Sequence, residues 1–372
     1  MASGFSLKDQ LFNLEKTRYL AGLFSAADPG FDAGAFESAV MSRLLDLELK
    51  ERMAWIAEVL GRHLLGDLPD VAPVLLRALP PPLDPGKSDD DFGDFIFAPL
   101  GEFVVERGLP DHVDLALDLL EEITQRFSME WAVRPVLKGH KEQALSRFAQ
   151  WARHPNYHVR RLASEGSRPR LPWGMAVPLD LAEPLPLLDV LHSDPTRYVT
   201  RSVANHLNDI SKKAPELVLE RLRAWAGEGR QDAKELAWMT AHACRGLIKA
   251  GHPDALRLLG YDPDADLKAD LRLKGKNVRI GQYLEIEASL KSSGDLPVIV
   301  DYIVHFHRDN GKPSQKVFKL KKTIVKRGIL NLEKRHLMKG DASTFKLQPG
   351  RHRVELLVNG ARRAEAEFNL LQ

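Results

Sequence analysis

Apolar positions recur every three or four residues over the first two thirds of the chain and every second residue over the last third, which predicts helices followed by strands. From about Leu11 to Leu65 the pattern is helical. Leu14, Tyr19, Leu20, Leu23 and Phe24 fall loosely on one side, and FESAVMSRLLDLELKERMAWIAEVLGRHLL resumes the pattern after a Pro-Gly break. Val71 to Leu79 predicts another helix, stopped by Pro80, Pro81 and Pro82. The acidic stretch PGKSDDDFGDF then reads as a loop of the kind that lies on the functional face of helical arrays. FIFAPLGEFVVERG, HVDLALDLLEEITQRF, SMEWAVRPVL and KEQALSRFAQWARH follow as short amphipathic helices, each too short to stand alone.

An internal repeat predicts how these helices assemble. PNYHVRRLASE, starting at Pro155, aligns with PTRYVTRSVAN, starting at Pro195, at a constant offset of 40. Pro155 matches Pro195, Val159 matches Val199, Arg161 matches Arg201, Ala163 matches Val203, and Glu165 matches Asn205. Another 40 residues on, Met239, Ala243 and Arg245 keep the apolar positions while the polar ones change. A period of this size, built from helix pairs that cannot bury their own faces, predicts a HEAT-type or armadillo-type solenoid whose second helices line a concave surface.

After Gly260 the period becomes two. Leu284, Ile286, Ala288 and Leu290 point one way, and Val298, Val300, Tyr302, Val304 and Phe306 do so in the next strand. Asp309-Asn310-Gly311 and Asn359-Gly360 supply the positive φ of hairpin turns. Roughly seven short strands predict an immunoglobulin-like β-sandwich. The expected division is therefore a helical solenoid over residues 1–269 and a sandwich over 270–372, with the boundary near Asp270.

HPNYHVRRLASEGSRPRLPW, from His154 to Trp173, concentrates the candidate chemistry. Pro155 can open a helix and Gly166 can close it, with Val159, Leu162 and Ala163 on its apolar stripe and Arg161 four residues from Glu165. Beyond it, Pro169 and Pro172 hold Ser167 to Trp173 as a stiff basic arm. Asn205 and Asp209 are likewise four apart, on the same side as Arg201 and Asn208, and Glu130 is four from Arg134. Although the whole chain carries only +2, residues 134–173 hold nine Lys and Arg against two Glu, a local field that attracts polyanions. The single Cys244 excludes an intramolecular disulfide and a thiolate-rich zinc site and suits a reducing cytosol. No apolar run reaches membrane-spanning length, and MASGFSLKDQ lacks a secretory hydrophobic stretch, so a cytoplasmic location is expected.

HPNYHVRRLASEGSRPRLPWG together with TRSVANHLNDISK resembles the AlkC branch of the HEAT-like-repeat alkylpurine DNA glycosylases, most specifically over residues 128–211. The strand-rich segment resembles the extra immunoglobulin-like domain of some members. The resemblance implies removal of cationic alkylated bases such as 3-methyladenine from double-stranded DNA, without a closed pocket for a flipped base. A monomer without a cofactor is expected.

The residues fit that chemistry. Alkylating a ring nitrogen makes the base a good leaving group, and a fixed carboxylate near C1′ stabilises the oxocarbenium-like sugar and orients water. Glu165 is the first candidate, followed by Asp209 and Glu130. Arg134, Arg160, Arg161, Arg168, Arg170 and Arg201 suit phosphate contacts, Asn205 and Asn208 share that surface, and Trp173 can stack or wedge. Arg160 or Arg161, but not necessarily both, is expected to touch DNA.

Each also has a plainer reading. The acids and arginines can be solvated faces or inter-repeat ion pairs, and Trp173 a loop anchor. His305 and His307 alternate on one strand without a third metal ligand, so no metal site is expected. Lys316, Lys319, Lys321, Lys322, Lys326 and Arg327 are a second candidate DNA contact or a charged edge that discourages aggregation. A non-catalytic repeat protein binding bent or damaged DNA is the alternative to an enzyme, and a protein-binding solenoid is a third.

Overall fold

The structure is a computed structural model describing residues 6–87, 89, 92–308, 314–340 and 346–372. The helices are α1 (Leu7–Leu11), α2 (Leu14–Ala27), α3 (Ala33–Met41), α4 (Leu49–His63), α5 (Leu68–Ala78), α6 (Ala98–Gly108), α7 (Val113–Thr124), α8 (Val133–Gly139), α9 (Lys141–Trp151), α10 (Tyr157–Gly166), α11 (Leu185–Leu191) and α12 (Arg197–Ser211). They continue with α13 (Pro215–Glu228), α14 (Ala233–Ala243), α15 (Arg245–Ala250) and α16 (Pro253–Leu258). Among the described residues none is long and apolar enough to cross a membrane.

Side-chain caps set many of the helix starts. Asn13 accepts from the Lys16 amide and Asp32 from the Ala35 amide, while Glu48 with Glu51 and Asp67 with Asp70 form capping boxes. The Asp67 box starts α5 at Leu68, three residues ahead of the predicted Val71. α10 also departs from expectation, because Asn156 rather than the residue before Pro155 is its cap, accepting from the His158 amide at 2.8 Å. In α2 the buried face is Thr17, Leu20, Ala21 and Phe24, whereas Leu14 and Tyr19 are exposed. SMEWAVRPVL yields a helix only from Val133, so Glu130 sits in the turn before it.

Successive helices stack as the repeat predicts, with α4 on α6, α6 on α7, α9 on α10 and α10 on α12. Val159, Leu162, Ala163, Val199, Val203, Leu207 and Ile210 are all buried. Gly166 marks a close approach, since a Cβ there would stand 2.7 Å from Val133 Cγ1. The chain divides into two compact units, one of residues 1–214 and 225–242 and the other of residues 215–224 and 243–372.

The second unit contains the strands β1 (Leu267–Leu273), β2 (Asn277–Arg279), β3 (Tyr283–Ser292), β4 (Leu296–His305), β5 (Gln315–Val325), β6 (Gly328–Leu337), β7 (Gly350–Val358) and β8 (Ala361–Leu371). One sheet has the order β1-β3-β6 and the other β2-β8-β7-β4-β5. The period-two faces pack inward, with Leu284, Ile286, Leu290, Val298, Val300, Tyr302 and Val304 in one core. Asn359 (φ 48°) and Gly360 (φ 76°) form the predicted turn between β7 and β8. Asn359 also fixes this corner by accepting from the Ile299 amide and donating to the Asp262 carbonyl, both at 2.9 Å. The turn expected at Asp309-Asn310-Gly311 lies outside the described residues. His305 pairs with buried Glu355 at 3.2 Å, and no group of three potential metal ligands occurs among the described residues.

Candidate active site

Three carboxylates are linked into one chain by two arginines. The turn before α8 presents Glu130, and the buried face of α10 presents Arg161 and Glu165. The segment just past α10 brings Arg168, and the last turn of α12 brings Asp209. Arg161 donates to Glu130 Oε2 at 2.8 Å and to Ser128 Oγ at 2.7 Å, and its other terminal nitrogen stands 3.9 Å from Glu165. Arg168 donates to Glu165 Oε1 and, through Nε at 2.9 Å and Nη2 at 2.6 Å, to Asp209 Oδ2. Ser202 donates to the second oxygen of Glu165 at 2.5 Å, and Lys212 meets Asp209 at 2.8 Å.

This arrangement keeps Glu165 charged although it is nearly dry. Burial alone would push the Glu165 carboxyl up, but Arg161, Arg168 and the Ser202 hydroxyl outweigh it and hold Glu165 below the ordinary glutamate range. Arg161 is buried in turn, with its guanidinium 4.5 Å from the Tyr198 ring centre and 5.8 Å from that of Phe92. Burial would lower its pKa, yet Glu130, Tyr198 and Glu165 together raise it, so it stays a cation. His206, behind Glu165, is driven by burial and then by Arg168 down to about 4 and is neutral; its Nδ1 lies 3.0 Å from the Ser164 carbonyl.

The remaining predicted residues separate into groups. Arg134 is wholly buried, donating to the carbonyls of Met175, Gly166 and Arg168 at 2.7 to 3.0 Å, so in this conformation it serves the backbone and no phosphate reaches it. Nor does it pair with Glu130, which Arg161 has taken. Arg160 points away from the acid chain, spanning Asp194 Oδ2 at 2.5 Å and the carbonyls of His154 and Pro155. Arg170 is exposed, and Trp173 is 60% exposed, its ring 6.1 Å from that of Trp131. Arg201 is half-buried and pairs with Asp89 at 2.5 Å. Asn205 meets His242 Nε2 at 2.9 Å rather than Asp209, and Asn208 is buried.

Sequence reasoning missed Ser128, Ser202, Tyr198 and Phe92. One signal existed for Ser202: the 40-residue offset sets it against Leu162, a hydroxyl where the first copy has a core residue.

The family described as "Uncharacterised protein YhaZ, C-terminal Ig-like domain" matches residues 268–372. Protein YhaZ of Bacillus subtilis (strain 168) is 36% identical over 273 residues, covering 72% of this chain and 75% of that protein. The structure of Pseudomonas fluorescens alkylpurine DNA glycosylase AlkC, bound to DNA containing an abasic site analog, superposes with a TM-score of 0.83 at 32% identity, covering 99% of this chain and 100% of that one. A likeness that runs through both the helical repeats and the sandwich at this level of identity settles the relationship: the chain belongs to the AlkC family of alkylpurine DNA glycosylases.

Proposed function

We propose that the protein excises cationic alkylated bases, 3-methyladenine and similar N3-alkylated bases, from double-stranded DNA. The observation that carries this reading is the chain of three acids and two arginines, in which Glu165 is held ionised and immobile. As the bond between C1′ and the base nitrogen breaks, its electron pair leaves with the base and neutralises the ring. The sugar takes up the positive charge. A pre-ordered carboxylate is stabilising at that moment because it needs no reorganisation.

Glu165 supplies the fixed field, and Asp209, at the end of the chain beside half-exposed Lys212, orients water and takes its proton as the C1′–O bond forms. Glu130 holds Arg161. Because the leaving group is already cationic, no acid need protonate it, which suits a site where Glu165 is kept as a carboxylate. The exposed Arg170 and Trp173 contact the strand beside the lesion, so the base is cleaved without being drawn into a closed pocket. In this division of labour residues 1–269 cleave and bind, and the sandwich of residues 270–372 adds a basic surface.

Incubating the protein with methylated duplex DNA and identifying released bases by chromatography tests the reading. Release of 3-methyladenine in excess of 7-methylguanine is expected. DNA binding with no base released would instead support a non-catalytic binder.

A further inference from the structure

The helical unit holds a cavity of about 450 Å³ that the acid chain does not use, between α4, α6 and the segment that follows Pro172. We propose that this cavity is a base-binding site that takes a planar purine carrying an amino group beside an unprotonated ring nitrogen. Its size falls within the range of small-molecule sites. Its walls are mostly apolar, from Met53, Met129 and Met175, and it is faced by the rings of Trp131 and Trp173, tilted 36° to each other. Thioethers and indoles suit the flat face of a heteroaromatic ring.

The Trp173 wall is built rather than incidental. Trp173 has φ 61°, a left-handed conformation that a bulky residue adopts only when its surroundings impose it. Three donors from other segments impose it here: Lys50 Nζ on the Trp173 carbonyl, Trp131 Nε1 on the Pro172 carbonyl at 3.2 Å, and the buried Arg134 on the Met175 carbonyl at 2.7 Å. The tethers leave the indole exposed beside the cavity.

Glu102 of α6 gives the site its hydrogen-bonding character. Burial pushes its carboxyl up to about 7, Lys50 of α4 opposes the shift, and Glu106 of α6 adds to it. Near neutral pH this carboxyl offers an O–H donor and a C=O acceptor side by side, which matches the acceptor nitrogen and amino donor of an adenine-type edge and mismatches the two acceptors of a guanine-type edge. Ser128 lines the cavity and also bonds Glu130, so cavity and acid chain share a wall. The biological sense of the site, as a holder for the base once it has been released, rests on the proposed function; the binding itself does not.

Calorimetric titration of the full chain with free 3-methyladenine tests it. Saturable binding at one site is expected, weakened at least tenfold by Glu102→Leu, which removes both hydrogen-bonding groups, and by Met175→Trp, which fills the cavity from an exposed position and leaves the core intact. Asp209→Asn leaves free-base affinity unchanged while stopping base release, so failure of the cleavage reading and failure of this one are told apart. A second arm places 2-aminopurine within duplex DNA. A dark signal alongside free-base binding is expected, and brightening on binding that both variants abolish would show a base drawn in while still attached and overturn the assignment to the released base. Absence of free-base binding, or its survival in both variants, likewise overturns the proposal.

Discussion

Helices α10 and α12 are copies of one unit 40 residues apart, and they do different things with matching positions. Arg161 in α10 is buried between Glu130 and the Tyr198 ring; its counterpart Arg201 in α12 is half-buried and pairs with Asp89. Glu165 is locked by Arg168 and Ser202, whereas Asn205 bonds His242 of α14. Gly166 lets Val133 approach α10; its counterpart His206 fills the same place in α12 with a buried ring. The repeat places side chains on the stack, and the element packed against each copy decides what they become.

The largest contrast is expected in stability. Arg161→Ala leaves the partly buried Glu130 without its cation and the buried Glu165 with Arg168 alone, and by analogy with broken buried pairs should cost about 3 kcal/mol, whereas Arg201→Ala should cost less than about 1 kcal/mol. Urea unfolding of the two variants compares them directly. A transplant is the next test: if role followed position in the repeat, Glu165→Gln combined with Asn205→Asp would keep activity. The expected result is a loss of base release of about 10²–10³-fold, the usual effect of removing one pre-ordered electrostatic group, with no rescue by the new acid.

His206 sharpens the contrast through pH. Its folded pKa lies near 4 and its unfolded value near 6.5, so below pH 6.5 the unfolded chain takes up a proton that the folded chain refuses. Stability therefore falls as pH drops from 6.5 toward 4, by up to about 3 kcal/mol, and His206→Leu should flatten that fall in unfolding curves taken across the range. Glu165, also depressed, adds a loss at lower pH, as acid passes through the ordinary glutamate value. The smallest effect concerns the arm, which only the first copy carries: Arg170→Ala should lower the slope of log affinity for DNA against log salt by about one.

Periodicity made the architecture legible. Spacings of three and four gave the helices, spacing of two gave the sandwich, and the offset of 40 gave the stack. The candidate acids were legible as positions because Glu165 stands four residues from Arg161, Asp209 four from Asn205, and Glu130 four from Arg134. Their partners were not, since pairing of Arg168 with both Glu165 and Asp209 depends on the chain turning back after Gly166 instead of running on as an extended arm. Arg134 looked like a surface base because nothing local shows that three carbonyls of a later segment close around it. The cavity beside Glu102 was invisible for a similar reason, its walls coming from segments more than a hundred residues apart in the chain.

The central claim is that α10 carries an acid whose charge, not its packing, makes the site. Single-turnover release of 3-methyladenine from methylated duplex DNA, measured for Glu165→Gln alongside DNA affinity and thermal unfolding, tests it most directly. Release is expected to fall by about 10²–10³-fold while DNA affinity stays near that of the unaltered protein; loss of the carboxylate between Arg161 and Arg168 lowers the unfolding temperature, but the variant remains folded at the assay temperature. Release within a few-fold of the unaltered protein, with folding intact, would contradict it.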